Sequence, residues 1–455
     1  MALPRRLDDG HFQTVGDALA AVIGMHENAG QPRGEILALM IVAGPQAGHA
    51  HRAIAIDHHQ CQVIVARPAA LGEAQLGALQ RSAALIASAN ESDYHAHTIP
   101  RVGSIMRNSL ILLLLSLCFG VFSAQAKTVT DITGRQVVVP DNPQRIVVGE
   151  SRMLYTLALL EPGNPAQRIV GWPADLARFD AQSWQLYTQK FPQIAAIPII
   201  SGNNFRQVNI ESLLQLKPDL VILARYARED GDNDLLVSAL NKAGVAVIYV
   251  DLRIDLLNNT VPSVRLLGEV LNRQPRAEQF IAFYQQHMVV IRQRLAGYQG
   301  PKPKVMLHLH LGRRDTCCTT AAHGNLGDLL TFAGGDNIAN ASVKGVYGEL
   351  NPETILSANP DVYLATGMAG PQGKRLSDLR LGPQVSQQDA ADSFRRLIAK
   401  QPMLASLQAV KNHRAWSVWH NFYLSPYHVV LVEMFAKAFY PDLFADINPQ
   451  QTFQQ

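Results

Sequence analysis

Asn209-Ile-Glu211-Ser-Leu-Leu214-Gln-Leu-Lys-Pro218-Asp219-Leu-Val has a counterpart 142 positions later, Asn351-Pro-Glu353-Thr-Ile-Leu356-Ser-Ala-Asn-Pro360-Asp361-Val-Tyr. Each Asn suits a helix N-cap, because its side-chain oxygen accepts an orphan backbone N–H. Each Glu falls in the first turn, where the helix dipole favours negative charge. Each Pro-Asp ends the helix and opens an apolar strand. One helix–turn–strand unit in two places predicts two βα lobes.

The surrounding sequence agrees. Arg145-Ile-Val-Val-Gly149, Arg168-Ile-Val-Gly-Trp172, Asp219-Leu-Val-Ile-Leu-Ala224 and Val245-Ala-Val-Ile-Tyr-Val250 are short apolar runs separated by helical patterns. That alternation argues for parallel βαβ units. Residues 127–140 alternate about Gly134 and read as a hairpin. After Pro275, the residues Ala277, Phe280, Ile281, Tyr284, Met288, Ile291 and Leu295 recur at helical spacing. About 23 residues at 1.5 Å each give a helix of roughly 35 Å. Strand runs then resume at 304–312, 361–365 and 414–419, and His308 and His310 would share one strand face. The expected fold is α/β: two βα lobes with central, mostly parallel sheets, joined by one long helix, with a ligand cleft between them.

Composition narrows the function classes. The 455 residues carry 40 basic and 37 acidic side chains, a net charge of only +3, which makes no electrostatic case for a nucleic-acid partner. Four cysteines exclude a disulfide scaffold. The averages hide a seam. No lysine precedes Lys127, no tryptophan precedes Trp172, and eight of fifteen histidines lie in the first 97 residues.

At the seam stands Met106-Arg107-Asn108, an apolar run from Leu110 to Val121, and Ser123-Ala124-Gln125-Ala126. A short positive segment, an apolar core and an Ala-x-Ala site are the parts of a secretion signal. The run is too short for a span of ~20 residues. The expectation is a signal peptide at 106–126, a start at Met106, and export to the periplasm. Residues 1–105 would be a mis-called start or an extension, whose His58, His59 and Cys61 form only a weak metal pattern. Lipid attachment at Cys118 is the lesser alternative, because Leu117 is not the small residue that attachment favours. The exported chain, 127–455, would hold 21 Arg and 11 Lys against 28 acidic residues, a net charge of +4. It divides into an N-terminal lobe (127–273), a linking helix (274–300) and a C-terminal lobe (301–455).

Several segments over residues 127–445 resemble the class III substrate-binding proteins of ABC importers. They are Asp131-Ile-Thr-Gly134-Arg, the two Asn-x-Glu…Pro-Asp units, 326–338, 406–414, Ser425-Pro-Tyr427 and Phe439-Tyr-Pro441-Asp-Leu-Phe444. The resemblance implies two lobes on one rigid helix and delivery of a ferric siderophore, haem, cobalamin or an oxyanion to a permease. It also implies a docking role for one acidic residue per lobe, here Glu211 and Glu353. Exposed carboxylates on a rigid body can fix orientation and steer encounter. The implied partners are an ABC permease dimer with its ATPase and a small metal chelate. Neither nucleic acid nor a membrane span is expected, and the binding protein is a monomer.

Open α/β sheets bind ligands beyond the carboxyl ends of their strands. Residues read there are Glu150, Ser151, Arg152, Trp172, Arg225 and Tyr226 in the first lobe. In the second they are Arg313, Arg314, Tyr347, Trp419, His420 and Tyr423. Arginine recognises carboxylate or catecholate oxygens bidentately, and aromatic faces pack flat ligands. The set suits an anionic ferric siderophore or ferric carboxylate, captured as cargo with no resident cofactor. Haem, with Tyr347, Tyr423 or His420 as axial ligand, and an oxyanion are the alternatives.

No metal ligand is assigned. Cys317 and Cys318 lie near His308, His310 and His323, but the spacing fits no standard zinc site. A buried or packing role is the expectation for the pair, and a strained vicinal disulfide in an oxidising compartment is an alternative. A secreted zinc enzyme is the weakest reading. The phosphate-binding Gly loops and Gly-x-Ser-x-Gly are absent from the sequence, and no enzyme activity is expected.

Overall fold

A computed structural model describes residues 54–57, 62–65, 126–202, 208–227, 233–313, 317–368 and 379–455. Residues 106–125 of the expected signal peptide, with Cys118, and His58, His59, Cys61 and Arg314 lie outside these residues; Ala126, the last residue of that peptide, is described. Strands β1 (Ile54–Asp57) and β2 (Gln62–Val65) form an antiparallel pair in a unit that spans residues 28–123. A second unit contains residues 124–455.

Strands β3 (Ala126–Thr130) and β4 (Gln136–Pro140) form the antiparallel hairpin expected about Gly134, whose φ is +82°. A first parallel sheet follows, built from β5 (Ile146–Val148), β6 (Ile169–Pro173), β7 (Ile199–Ser201), β8 (Leu220–Ala224) and β9 (Ala246–Val250). Its order is β7-β6-β5-β8-β9. Every residue of β5, β8 and β9 is buried, as expected for strands covered on both faces. Helices α1 (Leu154–Leu160), α2 (Asp175–Phe179), α3 (Ala181–Lys190), α4 (Ile210–Gln215), α5 (Asn233–Lys242) and α6 (Leu256–Val270) are interleaved with these strands or follow them.

The hairpin closes the sheet's outer edge. Asp131 accepts a bond from Tyr249 N at 3.2 Å, and Arg135 Nη2 donates to Val247 O at 2.8 Å. Asp131 and Arg135 also pair with each other, through Nε at 2.9 Å. These bonds occupy backbone groups that an open edge strand would leave exposed.

Helix α7 (Gln274–Gly297) has Pro275 in its first turn and buries Ala277, Ile281, Tyr284, Met288 and Ile291 on one face. It begins against the first lobe, where Arg273 pairs with Glu161 at 2.9 Å and Arg276 Nε donates to Leu159 O at 3.1 Å. It continues along the second lobe through Tyr284–His428 (2.9 Å), His287–Glu433 (2.6 Å) and a bidentate Arg294–Asp446 pair. Gly268 permits the turn from α6 into α7: a Cβ there would lie 2.4 Å from the Cβ of Ala277.

The second sheet has the order β12-β10-β14-β15 and is parallel throughout. Its strands are β10 (Lys304–His308), β12 (Asp336–Asn337), β14 (Val362–Gly367) and β15 (Ala415–Trp419), with β11 (Thr319–Ala321) and β13 (Tyr347–Glu349) as a separate antiparallel pair. Its helices are α8 (Asn325–Phe332), α9 (Pro352–Ala358), α10 (Gln387–Ala399), α11 (Pro402–Ser406), α12 (Gln408–Lys411), α13 (His428–Phe439) and α14 (Pro449–Gln454).

The repeated sequence unit is repeated in structure. Asn209 caps α4 by accepting from Ser212 N at 3.0 Å; Asn351 caps α9 by accepting from Glu353 N at 2.7 Å. Lys217 and Asn359, at matching positions, both take positive φ. Asp219 accepts from Arg145 N at 3.0 Å before β5, and Asp361 accepts from Lys304 N at 2.8 Å at the start of β10. Each Pro-Asp therefore ties its own strand to the neighbouring one. One expectation is corrected: His310 is not on a strand face with His308. β10 ends at His308, and His310 sits in a turn at φ +55°, held by His310 N to Thr366 Oγ1 at 3.0 Å.

Candidate ligand-binding site

The two lobes meet at a polar cluster beyond the carboxyl ends of β5, β9, β10 and β15. From the first lobe, Glu150 and Arg152 follow β5 directly. One oxygen of Glu150 receives both Arg152 Nη2, at 2.8 Å, and Arg253 Nη2. Arg152 Nε also reaches Asp175 at 2.9 Å, and Asp175 accepts from Ser151 N at 2.7 Å and from its hydroxyl at 2.6 Å. Arg253 lies over the Tyr226 ring at 4.8 Å, and Arg225 pairs with Asp251 at 3.6 Å. Arg253 Nε is buried and has no hydrogen-bond partner among the described residues.

The second lobe answers mostly through hydrogen bonds and rings, with Arg313 as its guanidinium. Arg253 Nη1 donates to Tyr423 Oη at 3.1 Å, and Arg152 Nη1 to Asn421 Oδ1 at 3.3 Å. The His420 ring lies 3.8 Å from that of His310 and edge-on to Tyr423 at 5.1 Å. Its Nδ1 pairs with Thr366 Oγ1 at 2.9 Å. Arg313 extends over Phe179 of the first lobe at 5.7 Å, a contact across the seam.

Charge at the seam follows from these contacts. Burial pushes the Glu150 carboxyl up, but Arg253 and Arg152 outweigh it and hold it below the usual range. Burial and the nearby Glu150 charge raise Asp175, against the bonds from Ser151 and Arg152. Burial, then the neighbouring His310 and arginines, push His420 well below the usual imidazole range. Arg152 and Arg253 are raised: burial is the largest influence and opposes their charge, but Glu150 acting together with Asp175 on Arg152, and with the surrounding tyrosines on Arg253, more than offsets it. The result is a first wall of buried ion pairs and a second wall on which His420 is held neutral at pH 7 and Arg313 is the guanidinium that crosses the seam.

Residues 170–417, more than half of the chain, match the family of periplasmic binding proteins. The chain belongs to that family. The molybdate-binding protein MolA of Haemophilus influenzae is 25% identical over 363 residues, 75% of this chain and 93% of MolA. The structure of FepB, a TroA-like periplasmic binding protein from Veillonella parvula, has a TM-score of 0.66 and 25% identity, with 71% of this chain and 93% of FepB covered. MolA with bound molybdate, the cognate periplasmic binding protein of an ABC transporter, has a TM-score of 0.53 and 20% identity over 72% of this chain and 95% of its own, which shows the shared fold. The α/β fold of two lobes is that of the family. Periplasmic binding proteins of ABC transporters are transport components, not an enzyme class, and no described helix is long and apolar enough to cross a membrane.

Within this periplasmic binding protein, the seam brings together Arg152, Arg225, Tyr226, Arg313, Tyr347, His420 and Tyr423. Tyr347 is nearly half exposed, and it interacts with Tyr423 and Arg253. Trp172 is corrected to a core position. β6 runs on to Pro173, so Trp172 lies inside the strand; it is fully buried and edge-on to Trp184 at 6.2 Å. Trp419 likewise ends β15 and is buried, but it meets Tyr155 of the first lobe at 6.0 Å. Glu211 and Glu353 are exposed in the first turns of α4 and α9.

Sequence reading missed Asp175, Arg253, Phe179 and Asn421. Arg253 carried a usable signal, because it stands three residues past β9, where ligand groups are expected. Asp175 carried none, since it reaches back to Ser151 and Arg152 from a five-residue helix. Cys317 and Cys318 form a disulfide. Of the three histidines near them in sequence, the structure groups only His308 with the pair; His310 joins the seam, and His323 is exposed.

Proposed function

We propose that this periplasmic binding protein captures an anionic iron complex, a ferric siderophore or ferric carboxylate, between its lobes and delivers it to an ABC permease with its ATPase. The observation that carries this reading is the Arg152–Glu150–Arg253 bridge. Two guanidiniums share one carboxylate oxygen, and Arg253 Nε is left without a partner among the described residues. A ligand carboxylate or catecholate could take that donor. Among the described residues Arg152, Arg225 and Arg253 pair with Glu150, Asp175 and Asp251, and Arg313 adds a fourth guanidinium, which favours an anionic ligand. Tyr347, Tyr423 and Tyr226 supply rings for a flat ligand. The chain acts as a monomer and carries out no catalytic step. Residues 106–126 direct export to the periplasm, 127–273 and 301–455 are the lobes on the 274–300 linker, and Glu211 and Glu353 dock against the permease.

A second reading is an oxyanion ligand. The similarity to the molybdate-binding protein MolA favours it, and paired guanidiniums also suit a compact dianion. Tryptophan fluorescence separates the two, because Trp419 lies at the seam. The iron-complex reading expects saturable quenching by one ferric chelate and none by its metal-free form or by molybdate. Quenching by molybdate alone would replace it with the oxyanion reading, and quenching by haem or cobalamin alone would reject both.

A further inference from the structure

The pair Cys317-Cys318 is not used by the seam. Both Sγ atoms and one imidazole nitrogen of His308 lie within 4.8 Å of one another. His308 is buried at the end of β10, and Cys318 is fully buried beside it, while Cys317 is half-buried. The His308 Nδ1 is engaged with Tyr363 Oη at 2.8 Å. That contact orients the ring and leaves Nε2 as its coordinating atom, the arrangement common around metal-bound histidines.

Backbone bonds hold the cluster in place. Leu309 N donates to Thr319 O at 2.7 Å on one side, and Leu350 N to Cys318 O at 3.0 Å on the other. The donor set is two adjacent sulfurs and one imidazole, and the cluster is mostly closed to solvent. Two thiolates favour a soft ion, and three ligands suit trigonal monovalent copper better than tetrahedral zinc.

We propose that Cys317, Cys318 and His308 form a redox-gated site for Cu(I), closed as the disulfide and opened by reduction. A dithiol supplies two electrons and two protons: the S–S bond breaks, two thiols form, and the dithiol becomes its own disulfide. Cu(I) then displaces both thiol protons to form two S–Cu bonds, and His308 supplies the third ligand without proton loss.

The test uses the full chain with Cys61→Ser and Cys118→Ser, so that the pair supplies the only thiols. The protein is reduced with dithiothreitol, desalted without oxygen, and titrated with Cu(I) against a chromogenic copper chelator. The proposal expects one bound Cu(I) per reduced chain and none per oxidised chain. Cys317→Ser should abolish stoichiometric binding. Tyr363→Phe, which leaves every ligand in place, should weaken it about 10–100-fold. Equal binding by oxidised and reduced protein, or stoichiometric binding by Cys317→Ser, would overturn the proposal. X-ray absorption of the copper-loaded protein needs no variant: two sulfur neighbours and one nitrogen are expected, and a shell without sulfur contradicts the site.

Discussion

The two lobes share a parallel central sheet and a repeated Asn…Pro-Asp unit, yet they present different chemistry to the seam. The first lobe supplies Glu150, Arg152, Asp175 and Arg253, a fixed ionic lattice. The second supplies Thr366, His420, Asn421 and Tyr423, which act through hydrogen bonds and ring packing, together with His310 and Arg313. The same contrast runs through the sequence: residues 127–273 contain no histidine, whereas 301–455 contain His308, His310, His323, His413, His420 and His428. Shared architecture thus constrains where groups stand, not which groups they are. An anion held by the first wall would be shaped and packed by the second.

The comparison can be broken most sharply at Glu150. Glu150→Gln leaves two buried guanidiniums without their shared carboxylate. Loss of one partner from a buried ion pair costs about 3–5 kcal/mol. Tyr423→Phe, on the second wall, removes one hydrogen bond to a charged group and should cost about 1.5–3 kcal/mol. Urea unfolding of the two variants checks the ranking, and equal losses would deny that the walls differ.

Acid should separate the lobes. Burial holds His428 neutral, its pKa down to about 4, and holds His420 well below the usual range. Both take up protons on unfolding below about pH 6.5, so the unfolded chain binds more protons and stability falls as pH drops from about 6.5 toward 4. The His428 shift corresponds to about 3 kcal/mol. Amide exchange at pH 7.5 and 5.5 should show protection lost first in 301–455. Equal loss in 127–273 would contradict the assignment, and His428→Gln should reduce the pH dependence.

The smaller effects probe what the lobes share. Asn209→Ala and Asn351→Ala each remove one N-cap and should cost about 1 kcal/mol by thermal unfolding. A large inequality would show that the repeated unit plays different roles in the two lobes. Charge reversal of Glu211 together with Glu353 should leave ligand affinity unchanged and abolish uptake in a transport assay. Normal uptake would remove the docking role.

The fold was legible because its signals are local. Buried parallel strands read as apolar runs, and caps read as Asn before a helix. The strands that escaped notice, β7, β11, β12 and β13, have only two or three residues and no pattern of their own. The site was legible only in part, because it forms by tertiary contact. Arg152, Tyr226, Tyr423 and His420 stand close to strand ends, so their positions could be read. Trp172 was placed one residue too far along, since the strand continues through it. Asp175 and Asn421 reach the arginines from elements whose sequence says nothing about a cleft.

Affinity measured with one substitution on each wall tests the central claim most directly. Arg253→Ala and Tyr347→Phe would be compared with the parent protein by calorimetric titration, using the ferric chelate that quenches fluorescence. Capture between the lobes predicts that Arg253→Ala weakens binding about tenfold or more, the loss of a charged hydrogen bond. It predicts a smaller but measurable loss for Tyr347→Phe. Parent-like affinity in both variants would mean that the ligand does not bind at this seam.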